Sequence, residues 1–308
     1  MPLTIAVLGA TGRLGRAVSL AAVAAGHEVV AVSRGGVAPK GARGIAADAR
    51  DAEALSEAIR GATVAVNALN PPYPAWVREM PGLTRSVLEA CARTGARHLF
   101  AGNVYPFGAG MPEVLRPDTS QAPTARKGVL RRDAEALFAD AARKGRVRTA
   151  ILRAGDFYGG TVPGSWFDLA VAKDVARGAV TLPGPRDVPH AWAYLPDLAA
   201  AFVALSEREA TLPDFASLGF AGHTLTGERM AALVERAAGR PLRRRSLPWG
   251  AIRLMGLVHP TSREVAEMRY LWEIPHRIDG TALEKAVGPL PATSPEEAVA
   301  RALRDLAL

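Results

Sequence analysis

The feature that most constrains the fold is a glycine-rich turn at residues 9–15, which reads Gly-Ala-Thr-Gly-Arg-Leu-Gly. It follows an apolar run, Leu3–Leu8, and precedes a stretch with helical periodicity, Arg13–Ala25. Such a turn, between a buried strand and a helix in a β-α-β unit of about 30 residues, is typical of proteins that bind the phosphates of a dinucleotide. The sequence therefore predicts a phosphate-binding turn at the N-terminus of the first helix.

Each glycine of this turn has a predicted task. Gly9 allows a tight turn, Gly12 lets backbone N–H groups approach the phosphates, and Gly15 lets the helix pack closely on the sheet. The alternative is a structural turn that no longer binds a ligand. The residues of the turn expected to belong to the cofactor site are Gly9, Thr11, Gly12, Arg13, Leu14 and Gly15.

The end of the second predicted strand, Glu28–Val32, indicates which dinucleotide would bind. A site selective for NAD places an acidic residue there, which accepts a hydrogen bond from the ribose 2′-hydroxyl. This chain has Ser33 and Arg34 instead, a hydroxyl and a planar cation suited to a 2′-phosphate. Arg13 could contribute as well. We therefore expect NADP(H), with NAD the less favoured cofactor, unless Arg34 is only an exposed charge at a strand end.

Two further places are expected to border the cofactor. Asp48, just past a short third strand, could accept a hydrogen bond from the adenine amine or cap the next helix. Ala68 and Leu69 follow the fourth strand, at the sheet edge where ligands bind in open α/β folds. Small residues there would let the cofactor lie flat.

The first half of the chain alternates apolar runs with helical patterns. Near-continuous apolar strands separated by helices predict a parallel sheet that is covered on both faces, and right-handed connections make it doubly wound. We expect strands at Leu3–Leu8, Glu28–Val32, Gly44–Ala46, Thr63–Asn67, His98–Ala101 and Val147–Leu152, and helices at Arg13–Ala25, Ala52–Arg60, Val77–Thr94 and Lys127–Lys144.

The second half is richer in glycine and proline, and its helical patterns are shorter. We expect an α/β protein with a Rossmann doubly wound parallel sheet and a smaller, mostly helical C-terminal substrate lobe. Residues 1–155 would form the dinucleotide-binding core, with sheet-completing segments in 179–206. Residues 156–308 would form the substrate lobe and the closing helices.

Composition excludes several other classes of protein. The net charge of +8 favours an anionic ligand, but the densest basic run, residues 243–245, lies between prolines and predicts a solvated loop, not a nucleic-acid surface. The single cysteine, Cys91, excludes a disulfide framework and is expected to be buried in a helix. No metal-ligand spacing occurs, and no apolar stretch reaches membrane-spanning length. We expect a cytoplasmic protein without a metal, a nucleic-acid partner or a membrane partner.

The chain resembles the short-chain dehydrogenase/reductase superfamily, in its extended or atypical branch of NAD(P)-dependent epimerases, dehydratases and reductases. The resemblance covers most of the chain and rests on the glycine turn, residues 103–105, Lys127, residues 153–159 and residues 190–197. It implies the strand order 3-2-1-4-5-6-7, a C-terminal substrate lobe and a cleft between the two.

One departure from that family concerns the catalytic residues. Members usually have a Tyr four residues before a Lys, with a Ser or Thr on the preceding strand; the Tyr carries the proton and the Lys holds the nicotinamide ribose. If Lys127 is that lysine, Pro123 stands where the Tyr would be. The hydroxyl position is replaced at best by Asn103.

Three interpretations stay open. Lys127 could itself be the acid/base, besides holding the cofactor ribose. Another phenol could fill the gap, with Tyr105, Tyr158 and Tyr194 as candidates, although Tyr105 could also pack beneath the cofactor. In the third, chemistry is lost and the protein senses NADP(H).

These observations predict an atypical NADP-dependent oxidoreductase that acts on a small carbonyl-type substrate. Lys127, with Asn103 and Tyr105, would polarise the reacting oxygen. The alternatives are a nucleotide-sugar-type epimerase or dehydratase with bound NAD(P), and a redox sensor or regulator without turnover. The protein is expected to be a monomer or a homodimer.

Overall fold

The structure is a computed structural model that describes all 308 residues. Apart from a few single helical turns, it contains fourteen strands and eleven α-helices. The strands are β1 (Thr4–Leu8), β2 (Glu28–Ser33), β3 (Arg43–Ala46), β4 (Val64–Asn67), β5 (Arg97–Gly102), β6 (Val114–Leu115), β7 (Thr149–Arg153), β8 (Asp156–Tyr158), β9 (Ala179–Leu182), β10 (Pro189–Tyr194), β11 (Phe215–Gly219), β12 (His223–Thr226), β13 (Arg243–Ser246) and β14 (Arg277–Ile278). The helices are α1 (Arg13–Ala24), α2 (Ala52–Ala58), α3 (Trp76–Thr94), α4 (Arg126–Arg143), α5 (Leu195–Glu207), α6 (Gly227–Ala238), α7 (Trp249–Met255), α8 (Pro260–Ala266), α9 (Tyr270–Glu273), α10 (Thr281–Val287) and α11 (Pro295–Asp305).

A seven-stranded sheet forms the centre of the first half. Its order is β3-β2-β1-β4-β5-β7-β11, and every neighbouring pair is parallel. The strand order reverses at β1, which lies between β2 and β4. Leu8, its last residue, pairs with Val32 of β2 on one side and with Asn67 of β4 on the other. The prediction of a Rossmann doubly wound sheet is therefore confirmed. Ligands bind at such a reversal point, beyond the carboxyl ends of the strands.

The seventh strand does not come from the expected part of the chain. It is β11, whereas the segment 179–206 contributes β9, which pairs with β13, and β10, which pairs with β8 and β12. The large aromatic side chains of β10 pack into the core of the lobe instead of beneath a helix of the central sheet. The strand thus contributes its aromatic side chains to the lobe core and its backbone to a small separate sheet.

Helices cover both faces of the central sheet, as an all-parallel sheet requires. One face packs against α1 and α5 in a core of 27 buried residues, and the other packs against α2 and α3 in a core of 17. Cys91 belongs to the second core and is only 1% exposed. Burial raises the pKa of its thiol to about 12. The expectation of a buried helix thiol is confirmed.

The lobe has its own core of 20 buried residues, built mainly from β8–β10, α6 and α11. Two stretches of the lobe with helical periodicity do not form continuous α-helices. The segment 166–177 forms only a wide turn at Phe167–Val171 and a tight one at Val175–Arg177, and the segment 262–272 is divided between α8 and α9. No helix has both the length and the apolar character needed to cross a membrane.

Helix α7 differs from every other helix of the lobe because none of its side chains is buried. Four large apolar residues at and after its end are between 55% and 85% exposed, namely Leu254, Met255, Leu257 and Val258. The helix contacts mainly its neighbour α8. Helix α7 therefore lies on the surface of the lobe, whereas α8 also packs against the single turn at Tyr73–Ala75 of the other half.

Candidate functional site

The glycine turn lies at the reversal point of the sheet and has the shape that its sequence predicts. Gly9 has a φ of 78°, a left-handed conformation that favours glycine. A Cβ atom on Gly15 would stand 2.2 Å from the carbonyl oxygen of Gly9, so no other residue fits there without moving the backbone. The turn and the first helical turn are thus held in close contact by glycine.

The N-terminus of α1 is free of side-chain caps. Gly12 is its N-cap residue and makes no side-chain hydrogen bond, and the first turn contains no acidic residue. The first amides of a helix have no partner within the helix, and the helix dipole adds positive potential there. Without a competing carboxylate or hydroxyl, these amides fit the phosphates of a dinucleotide.

A cavity of about 340 Å³ opens beside the turn. Ala10, Thr11 and Arg16 line one side, residues 37–39 after β2 line another, and Thr161 and Val162 line the third. Arg13 does not point into this cavity. Its guanidinium instead hydrogen-bonds the carbonyl oxygens of Gly159 and Val162 and the carboxylate of Asp168.

The residues after β2 present an unpaired cation. Arg34 is exposed and forms no ion pair, whereas Ser33 is buried and donates a hydrogen bond to the carbonyl oxygen of Val37 at 3.1 Å. Asp48 is paired with Arg50 at 2.5 Å, and hydrogen bonds from Arg50 lower the pKa of Asp48 to about 2. The cap of α2 is Asp51, so capping is not the task of Asp48.

The end of β4 lies against the glycine turn. A Cβ on Gly9 would be 3.2 Å from the carbonyl oxygen of Ala68, and 3.4 Å from the side chain of Leu69. The side chain of Asn67 accepts a hydrogen bond from the Leu69 amide and faces His98 at 3.2 Å. Ala68 and Leu69 therefore border the same crevice as the turn.

Lys127 is buried at the start of α4, with 1% of its side chain exposed. Its ammonium donates hydrogen bonds to two carboxylates. One is that of Glu264 in α8, at 2.6 Å, and the other is that of Glu267, the residue that directly follows α8. It also lies 5.2 Å from the centre of the Tyr73 ring. Two of its three donors are therefore already used by acidic residues, which sequence reasoning missed because they are about 140 positions away along the chain.

The two glutamates are also bound to the neighbouring Arg126. The backbone N–H of Arg126 donates a hydrogen bond to Glu267, and its guanidinium donates one to Glu264. Burial would raise the pKa of Glu267, but hydrogen bonds from Lys127 and Arg126 outweigh it and lower that pKa overall. This group of four charges joins the Rossmann half to the lobe.

Tyr105 follows β5 and is paired with a second phenol. Its hydroxyl lies 2.7 Å from that of Tyr73. Burial raises the pKa of Tyr105 well above its usual value, and raises that of Tyr73 to about 12. Asn103 accepts a hydrogen bond from the Tyr105 amide at 3.1 Å, so it holds the turn that carries this phenol.

Arg131 is the second cation on α4 and was not among the predicted site residues. It lies one turn after Lys127, is 5% exposed, and is enclosed by the rings of Trp76 and Phe100 at 4.7 and 5.0 Å. Its only hydrogen bonds are long ones, to Ala101 and Asn70 at the ends of β5 and β4, and its Nε has no partner. The four-residue spacing from Lys127, which matches the Tyr–Lys spacing of the family, was the signal that could have found it.

The remaining candidates pack inside the lobe. His190 stacks on Trp272 at 4.0 Å, and its Nε2 lies 2.8 Å from the carboxylate of Asp156. The phenol of Tyr158 bonds to His223, and Tyr194 packs beside it. Residues 190–194 therefore belong to a packed aromatic cluster, and Tyr105 is the one candidate phenol that lies near Lys127.

The basic run at residues 243–245 belongs to strand β13, which pairs with β9, and not to the solvated loop that the sequence predicted. Within this run, Arg244 pairs with Glu228 and Glu235, and Arg245 lies 3.6 Å from Asp174. No group of three potential metal ligands is present.

The comparisons with known proteins agree with this geometry. The pattern of the NAD dependent epimerase/dehydratase family matches residues 5–216, more than half of the chain. Among curated sequences, uncharacterized proteins of Mycobacterium tuberculosis (strain ATCC 25618 / H37Rv) and Mycobacterium bovis are 41% identical over 99 residues. That match covers 30% of this chain and only 11% of each relative.

Among solved structures, a UDP-galactose 4-epimerase superposes with a TM-score of 0.76 at 19% identity, covering 99% of both chains. MoeE5 in complex with UDP-glucuronic acid and NAD gives the same values. A nucleoside-diphosphate-sugar epimerase from Pseudomonas aeruginosa superposes with a TM-score of 0.74 at 19% identity, covering 99% of this chain and 97% of that one. At these identities the structures show a shared fold, while the sequence pattern shows the family. The chain therefore belongs to the NAD dependent epimerase/dehydratase family.

Proposed function

We propose that this member of the family is an atypical NADP(H)-dependent oxidoreductase whose substrate is a small carbonyl compound without a diphosphate group. The glycine turn and the free amides of α1 would hold the phosphates of the cofactor, whose nicotinamide supplies or accepts the hydride. The residues of the chain then have three tasks, namely to select the cofactor, to move a proton and to accept the substrate.

The observation that carries the substrate class is the charge around Lys127. The cation is matched by Glu264 and Glu267, and a third carboxylate, Asp156, is close enough to raise the pKa of Tyr105 and Tyr73. A nucleoside diphosphate would add negative charge beside these carboxylates, which costs free energy unless free cations balance it. The arginines at 244 and 245 are paired elsewhere, and Arg131, the remaining cation near Lys127, is enclosed by the rings of Trp76 and Phe100. An uncharged carbonyl compound fits this cleft better.

Cofactor choice is assigned to Arg34. It is exposed, has no carboxylate partner and stands at the end of β2, where a 2′-phosphate would make charge-assisted hydrogen bonds. Residues 37–39 complete this side of the cavity, and the buried Ser33 holds them by its hydrogen bond to the carbonyl oxygen of Val37. These features support NADP(H) over NAD(H).

Proton transfer is assigned to Tyr105. The phenol carries its proton at neutral pH and can donate it to the oxygen of a carbonyl that is being reduced; burial, which raises the pKa of Tyr105, opposes this transfer until negative charge develops on that oxygen. The hydrogen bond to Tyr73 orients it, and Asn103 holds its backbone. In this arrangement Lys127 shapes the electrostatics of the site beside the phenols, with one N–H donor left for a ligand.

The alternative is a nucleotide-sugar epimerase that keeps its cofactor between turnovers. The comparisons favour it, because one of the similar structures holds a UDP-sugar together with NAD and the others are epimerases. The charge balance around Lys127 argues against it. Cytoplasmic location and a monomeric or homodimeric state stay predictions.

The test begins with the purified protein and both cofactors. We expect NADPH to bind at least tenfold more tightly than NADH, and NADPH to be oxidised steadily with a panel of aldehydes, ketones and enones. Interconversion of UDP-sugars without net NADPH consumption would instead establish the epimerase. Failure to bind either dinucleotide would refute both.

A further inference from the structure

We infer that Arg13 and Asp168 are positioning residues that fasten residues 159–165 over the bound dinucleotide, so that the cofactor leaves slowly. We call residues 159–165 the strap. The inference rests on the proposed function, because it takes the crevice beside the glycine turn to be the NADP(H) site.

The fastening is a set of direct contacts between the glycine turn and the strap. The guanidinium of Arg13 donates to the carbonyl oxygens of Gly159, at 3.0 Å, and Val162, and to the carboxylate of Asp168 at 2.5 Å. The same carboxylate oxygen accepts the backbone N–H groups of Gly164 and Ser165, at 2.8 and 3.0 Å. One arginine and one aspartate therefore hold both ends of the strap.

The strap faces the cofactor crevice. Thr161 and Val162 line the cavity of about 340 Å³ opposite Ala10 and Thr11 of the glycine turn. A dinucleotide whose phosphates lie on that turn would be beneath the strap. The strap must then move for the cofactor to enter or leave.

The pair that fastens the strap is shielded from water. Only 13% of the Arg13 side chain and 6% of the Asp168 side chain are exposed. Removing one partner of a shielded ion pair leaves the other charge without compensation, which is strongly unfavourable. Loss of Asp168 should therefore shift the strap toward conformations in which Arg13 reaches water.

Glycines lie at the positions where the strap would bend. Gly159, Gly160 and Gly164 all have positive φ values, 77°, 80° and 125°, which few other residues adopt. Glycines flank the two cavity-lining residues on both sides, so rotation at these positions would lift Thr161 and Val162 together. Lids that close over ligands turn on a few such positions.

This arrangement has a kinetic consequence. Opening of the strap precedes release of the cofactor, so a reductase that must release NADP+ in each cycle would be limited by that opening. It also changes the expected task of Arg13, which the sequence had placed in the cofactor site. In the structure, its hydrogen bonds go to the strap and to Asp168.

The experiment measures dissociation of NADPH by stopped-flow fluorescence, with excess NADP+ as the displacing ligand. We expect Asp168→Asn and Arg13→Met each to raise the dissociation rate at least tenfold, and the double variant to be no faster than the single ones. Asp168→Glu should recover part of the slow release. Glu296→Gln, which breaks the exposed pair with Arg229, is the matched control and should leave the rate unchanged.

The outcomes separate the two proposals. Unchanged dissociation in Asp168→Asn overturns the role of the strap, and additive effects in the double variant show that Arg13 contacts the cofactor directly and overturn it as well. If the native protein binds neither NADPH nor NADH, the proposed function itself fails.

A second measurement does not depend on the stability of the Asp168 variants. Thr161→Cys places a thiol on the strap, in a chain whose own cysteine is buried. We expect bound NADPH to slow labelling of this thiol at least fivefold. Equal labelling with and without NADPH would contradict closure of the strap over the cofactor.

Discussion

The two sides of the cleft are built differently. On the cofactor side, one stretch of seven residues determines the turn, the helix N-terminus and the packing of Gly15 against Gly9. On the substrate side, the site is assembled from residues far apart in sequence, since Lys127 meets Glu264 and Glu267 about 140 positions later. A contiguous motif constrains its own geometry, whereas an assembled site is determined by how two halves pack. Substitutions on the two sides should therefore fail in different ways.

The largest expected effect is on the cofactor side. Gly15→Val should abolish binding of NADPH, with at least a hundredfold loss of affinity, because its Cβ would overlap the Gly9 carbonyl. Isothermal titration measures the affinity, and circular dichroism checks the fold. Gly110→Ala is the control, because a Cβ there has no neighbour within 4 Å. Retained binding in Gly15→Val would show that the turn does not hold the phosphates.

The second-largest expected effect is a loss of turnover from a substitution on the substrate side. Tyr105→Phe removes the proposed proton donor and should lower kcat by roughly a hundredfold or more, with affinity for NADPH within twofold of the native value. Steady-state kinetics on the best carbonyl substrate measure it. Tyr73→Phe, which removes only the partner hydroxyl, should have a smaller effect. Equal activity in Tyr105→Phe would assign the proton to another group, with Lys127 the next candidate.

Lys127→Met tests whether the assembled site also holds the two halves together. It leaves Glu264 and Glu267 facing each other without their buried cation, and should lower the free energy of unfolding by about 3–5 kcal/mol. Urea unfolding measures the loss. Lys144→Met, at an exposed pair with Asp140, should cost less than about 1 kcal/mol. A loss as small as in the control would show that the contact contributes little.

A substitution at Arg34 should reduce the preference for NADPH over NADH by a moderate factor. Arg34→Ala should weaken NADPH roughly tenfold to a hundredfold, the value of one or two charge-assisted hydrogen bonds, and leave NADH nearly unchanged. Titration of both nucleotides measures the ratio. Equal weakening of the two would mean that Arg34 does not read the 2′-phosphate.

The smallest expected effect is the change in the free energy of unfolding with pH, to which one buried histidine in each half contributes. Burial lowers the pKa of His98 in the central sheet, and that of His276 in the lobe, to about 3. In the unfolded chain both titrate near ~6.5, so below that pH the unfolded state binds more protons and stability falls. We expect a loss of about 1.4 kcal/mol per pH unit for each histidine between about pH 6 and pH 5. Urea unfolding that is independent of pH in this window would contradict it.

The sequence predicted the glycine turn and the first strands of the sheet well because their signals are local. The turn and the strands β1 and β2 each depend on neighbours within a few residues. The substrate side could not be predicted in the same way. The pairing of Lys127 with two glutamates, and the use of Arg13 to hold the strap, depend on tertiary packing that no local pattern records.

The misplaced seventh strand has the same cause. The segment 189–194 is apolar and strand-forming, and the sequence alone does not say which sheet it joins. Its aromatic side chains pack with those of β8 and α9, and this packing selects the small sheet of the lobe. Strand formation was a local property here, but strand pairing was not.

The burial of Cys91 has a practical consequence for spectroscopy. An inaccessible sulfur with so high a pKa stays unreactive toward maleimides and iodoacetamides at neutral pH. The native chain therefore does not react with thiol-specific labels, and its cysteine need not be removed before a new one is introduced. Labels attached at two engineered surface cysteines, one on each half, would report on those positions alone, so the distance between the halves could be followed in solution during a catalytic cycle.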